Sequence, residues 1–308
     1  MGSSCSNFKN NEIGNSFIGI KLLNWTASNL QLSKYHWWPM RESINPYYNN
    51  LYCDNGGLDK YDRLFGTASK QFQKQNYFRK SDSNESDAEW AGFCDKATIL
   101  SCLYEYPLHS VRVNYNRHII QFNPRDIEML MIVACDDTVK KNMSIFLGER
   151  NNSNSIEEPY PSDLLHILKM MCYMDEPFAM DIDNGTSVWN YAYDKVQITM
   201  HNDCPLPYTP LKNGKTIYLN FIIDSSGYPG QKQCLWGYIY TPTIESNIEY
   251  VKEGWISKKH PDFIWKKFAK DTIWEGKCTL NPEINANHVY KIYKHSLRKH
   301  NTILEINS

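Results

Sequence analysis

Apolar residues recur along this chain in two rhythms. In "VRVNYNRHIIQF" they alternate with polar ones, with Asn114 to Arg117 between the two runs, which predicts a β-hairpin. Further on, "PFAMDI", "SVWNYAYDKVQITM", "KTIYLNFIIDSS" and "QCLWGYIYTP" are rich in β-branched and aromatic residues and predict strands. Three stretches read as helices instead. The apolar run from Ala97 to Glu105, stopped by Pro107, predicts a helix that begins near Cys94. "NPRDIEMLMIVA" has Pro and Asp at its start and then an apolar run. "PSDLLHILKMMCYM" predicts a third helix, with Ser162 or Asp163 as its N-cap.

The first eighty residues keep neither rhythm and read as an aromatic, mostly irregular arm, with "CDNGG" as a turn cluster. "SDSNESDAE" is a polar linker ending at Trp90, and "LGERNNSNSIEEPYP" is a loop. Helices precede antiparallel strands, so the expected class is α+β, with an antiparallel sheet packed on the cysteine-bearing helix. The expected organisation is a flexible N-terminus over 1–20, one domain over 21–275 and a C-terminal extension over 276–308.

Composition narrows the function classes. The chain has 308 residues and a formal net charge of -1, so it has no basic footprint for nucleic acid. Nine cysteines are spread without framework spacing and without a CxxC pair, which predicts thiols in a reducing compartment. The N-terminus lacks the apolar core of a signal peptide, and no segment reaches membrane-spanning length, so a cytoplasmic location is expected. "MGSSCS" fits an acylation signal, with Gly2 as myristate acceptor, Ser6 at the required position and Cys5 open to palmitate. Two acyl chains would tether the protein to a membrane. Met-Gly-Ser-Ser also begins many recombinant tags.

The candidate chemistry starts at "EWAGFCDKATILSCL". A helix N-terminus carries unsatisfied N–H groups and a partial positive charge, which favour a thiolate and can serve as an oxyanion hole. Cys94 is placed there, after Gly92 and before Asp95 and Thr98. A buried structural cysteine at a helix start is the commoner case. "CDD", "DID" and "IID" supply carboxylates, but none follows an EF-hand spacing; no metal or other cofactor is expected, and calcium has no motif behind it.

Seven separated motifs, in order from Trp37 to Trp265, resemble the oomycete elicitor-type transglutaminases and their bacterial relatives. They are "WWPMRESIN", "LDKYDRLF", "WAGFCDKATILSCL", "VRVNYNRHIIQFNPRDIEMLM", "PSDLLHIL", "FAMDIDNGTSVWN" and "EGWISKKHPDFIW". The chain departs from the family at Tyr191 and Ala192, where Gln-Pro usually follows "VWN", at Leu165, where Phe is usual, and after Cys94, where the Trp that often follows the nucleophile is missing. The resemblance implies a papain-like or transglutaminase-like fold and thiol-dependent acyl transfer. A thiolate attacks a glutamine carboxamide, ammonia leaves, and the thioester passes to a lysine amine or to water.

The resemblance also implies roles. Cys94 is the nucleophile, His166 the base and Asp181 the acid that orients it. His201 closes the strand "VQITMH" and is the second candidate base; His260, beside Pro261, is the third. Asp183 alternates to the same face as Asp181. Trp189 and Asn190 are candidates to line a groove. The expected partners are proteins with accessible Gln and Lys. A papain-like cysteine protease would use the same thiol and base, and an inactive relative would serve as a binding module.

Overall fold

The computed structural model describes residues 19–28, 32–41, 50–78, 91–135, 144–148, 159–182, 188–203, 213–228, 230–242, 252–267, 274, 278, 280–299 and 302–307. Gly2, Cys5, Trp90 and Asp183 lie outside the described residues. In chain order the elements are β1 (Ile20–Thr26), α1 (Gly57–Phe65), α2 (Ser69–Tyr77), α3 (Cys94–Leu103), β2 (Val111–Tyr115), β3 (His118–Phe122) and α4 (Pro124–Ala134). There follow β4 (Ser144–Gly148), α5 (Pro161–Tyr173), β5 (Phe178–Asp181), β6 (Asn190–Tyr193), β7 (Lys195–His201), β8 (Gly214–Asp224) and β9 (Gln233–Pro242). The last are β10 (Lys252–Trp255), β11 (Phe263–Lys267), α6 (Ala286–Ser296) and β12 (Leu304–Glu305). The class is mixed α+β.

The chain forms two compact units, where one domain over 21–275 was expected. The first takes Met1–Leu32 and Ile145–Lys266, the second Ser33–Ser144 and Lys267–Ser308. The first unit carries a five-stranded sheet in the order β1-β7-β8-β9-β10 and, but for a terminal residue each of β4 and β11, a four-stranded sheet β4-β11-β5-β6. Its core joins Leu164, Ile167, Leu168 and Met171 of α5 to Ile198, Phe221 and Leu235 of the larger sheet. Those four α5 residues form one helical stripe. The helix that packs on the sheet within this unit is therefore α5. The helix bearing Cys94 is α3, in the second unit.

Two local features seat α5. A Cβ on Gly237 would lie 2.5 Å from Cγ of Pro161, so only glycine lets the helix start approach β9. The N-cap residue is Tyr160, which has no capping side chain. Glu253 of β10 serves instead, accepting from the Ser162 N–H at 3.0 Å and from the Ser162 hydroxyl at 2.8 Å. Ser162 and Asp163, expected as N-caps, lie inside the helix, because Pro161 fits the first helical position.

The second unit is built around α4, buried continuously from Asp126 to Ala134. Its start follows the sequence closely: Asn123 accepts from the Asp126 N–H at 2.9 Å, and Asp126 accepts from the Asn123 N–H at 2.9 Å. The hairpin β2–β3 turns at Asn116 and Arg117, both at positive φ (49° and 65°), as a two-residue turn requires. β12 pairs with β2 in parallel, and α6 packs on α4. Residues expected as a C-terminal extension thus complete this unit. The arm expected to be irregular supplies β1, α1 and α2. Asp62 on α1 caps α2, accepting from the Ser69 N–H at 2.7 Å and the Lys70 N–H at 2.9 Å.

Candidate functional site

Cys94 is the first residue of α3, and Phe93 before it brings no capping side chain. The turn is instead held from outside by residues 37–40. The Phe93 N–H donates to the Trp37 carbonyl at 2.7 Å, and the Met40 N–H donates to the Ala91 carbonyl at 3.0 Å. Pro39 and Gly92 form an antiparallel bridge. A Cβ on Gly92 would sit 2.0 Å from Cε3 of Trp37, so the indole lies directly on the glycine backbone. On the helix side, the Thr98 hydroxyl donates to the Cys94 carbonyl at 2.8 Å. Cys94 is half-buried. Cys102, near the end of α3, is also half-buried. Of the nine cysteines, seven are described, and all seven are thiols.

Beneath this turn lies a buried polar cluster. Glu128, 1% exposed, accepts from the backbone N–H of His36 and from the Tyr106 hydroxyl at 3.0 Å. Burial pushes its carboxyl above the usual range, opposed by those two hydrogen bonds and by Arg125. The Arg125 guanidinium lies 4.8 Å from the Trp38 ring centre. Burial, aided by Arg125 and Lys34, lowers the His36 imidazole to about 4, so it is neutral at pH 7. Trp38 is fully buried with φ at 37°, a conformation costing a bulky residue about 1–3 kcal/mol. None of these residues was singled out from the sequence. The available signal was Glu128 itself, a charge inside the apolar run "IEMLMIVA".

The other candidates belong to the first unit. His166 stands on the exposed face of α5. Asp181 is fully buried at the end of β5 and accepts from the Trp189 N–H at 3.0 Å. No hydrogen bond or ion pair joins His166 to Asp181 or to any other described residue. Asn190 accepts from the Trp265 indole at 2.8 Å. His201 is held closely. Its Nε2 lies 2.9 Å from the Thr199 hydroxyl, Trp236 packs 5.2 Å from its ring, and a Cβ on Gly19 would come within 2.4 Å of it. Burial lowers its pKa. His260 stacks on Trp255 at 5.5 Å with 8° between the planes, and its Nδ1 lies 3.4 Å from the Ser257 carbonyl.

Among the described residues no cluster of three or more His, Cys, Asp or Glu could hold a metal ion. No described helix is long and apolar enough to cross a membrane. Compared with family models, curated proteins and solved structures, the chain matches none.

Proposed function

We propose that this protein is a cysteine-dependent acyltransferase acting on protein glutamine, of the transglutaminase or glutamine-deamidase kind. The observation that carries the reading is the setting of Cys94. It is a half-buried cysteine at the first position of a helix whose start has no side-chain cap from Phe93 and whose preceding turn is fixed by residues 37–40. Fixed N–H groups at such a start stabilise a thiolate and the oxyanion of a tetrahedral intermediate. The order of the seven motifs supports the same class.

A general base must be oriented as well as basic. The resemblance points to His166 with Asp181. His201, braced by Thr199 and Trp236, is the second candidate. The exposed His166, apart from Asp181, also leaves standing the second reading, an inactive relative that binds other proteins. The test is to incubate the protein with casein and a fluorescent primary amine. Amine incorporation or ammonia release, lost in Cys94→Ala with the circular dichroism unchanged, is the expected result. Fragmentation of the casein would make it a protease, and no reaction would favour the binding module. We also propose that acylation at Gly2 and Cys5 tethers the protein to membranes.

A further inference from the structure

We propose that Glu128 is a positioning residue for Cys94, acting through segment 35–40. The path is continuous within the second unit. Glu128 holds the His36 N–H. The next residue, Trp37, takes the Phe93 N–H on its carbonyl at 2.7 Å and lays its ring on Gly92. Cys94 follows Phe93 and opens α3. Two features of the cluster are costly for the fold taken alone. A carboxylate is buried in a run where Leu or Met would pack without penalty, and Trp38 is held in the left-handed region. Both act on the same short segment, on opposite sides of Trp37. A rigid, over-determined segment is what fixes the first-turn N–H groups at the thiol, and a small misplacement there is expensive for reactivity.

The proposal rests on Cys94 being the reacting thiol, and its test reads that thiol directly rather than turnover. Glu128→Gln keeps the shape but presents an NH2 group to one of the two donors that Glu128 accepts from. With the melting temperature retained, the Phe93 amide should exchange with deuterium about tenfold faster, because the Trp37 and Trp38 carbonyls that accept from it are no longer held in place. Iodoacetamide should label Cys94 at least about threefold more slowly at pH 7, with the whole rate profile moved to higher pH. A merely structural Glu128 would change the melting temperature and leave both readings alone, and that result overturns the proposal. If Glu128→Gln does not fold, Tyr106→Phe removes one donor and leaves the backbone bond in place. A smaller shift in the same direction then supports the proposal, and an unchanged profile overturns it. Failure of casein labelling in the wild type would sink the acyltransferase reading while leaving this one standing.

Discussion

Two histidines of the first unit stand in opposite surroundings. His166 projects from α5 into solvent, with nothing to fix its ring. His201 is fixed from three sides by Thr199, Trp236 and the Gly19 backbone. For amine incorporation we expect alanine at the histidine that serves as base to lower kcat by about 100-fold or more, and at the other by less than about threefold, since a positioned base contributes roughly that range. The measurement is initial rate against amine concentration for both variants. A large loss at His166 supports the assignment that the resemblance implies, a large loss at His201 replaces it, and no loss at either overturns both. Single residues were unevenly legible in the sequence. His201 announced itself as the end of an alternating run, and Cys94 as a thiol before an apolar helix. The exposure of His166 could not be read, because helical spacing alone does not say which face of α5 meets the sheet.

Elements were legible where their signals are local. α4 carries Asn, Pro and Asp at its start and nothing but Glu128 to interrupt its apolar run, and it forms as expected. The β2–β3 hairpin follows from alternation and a turn that starts with Asn116. α1 had a signal too, in Leu58, Tyr61 and Leu64 at helical spacing. α2 has almost none, because "SKQFQKQNY" offers Phe72 as its one large apolar residue before the closing tyrosine. Its stability comes from Asp62, a cap supplied by another helix. The same holds for α5 and Glu253, 91 positions from the serine it caps. Glu253→Ala should cost about 0.5–2 kcal/mol, the usual value of a helix cap. Urea unfolding checks this, and the m-value should stay constant. A loss below a few tenths would mean that Pro161 on Gly237 seats the helix without help.

The division of the whole molecule could not be read at all, since it depends on which distant segments meet. Each unit is assembled from two pieces of chain, and each encloses part of the other in sequence. α6 and β12 close the second unit by packing on α4 and pairing with β2. A chain ending at residue 285 should lose deuterium protection in α4 and β2 while β8 and β9 keep theirs. Equal loss in both sets would mean that the units do not fold separately. The interleaving also has a consequence for a chain growing on the ribosome. The first unit has all its strands once residue 266 emerges, although the second began to be made before most of it. α1, α3 and α4 must meanwhile wait for α6, a delay of roughly 10–30 s at ordinary speeds of translation. Through that interval the apolar face of α4 has no closing helix, so nascent chains stalled between 135 and 285 are the ones a chaperone should hold.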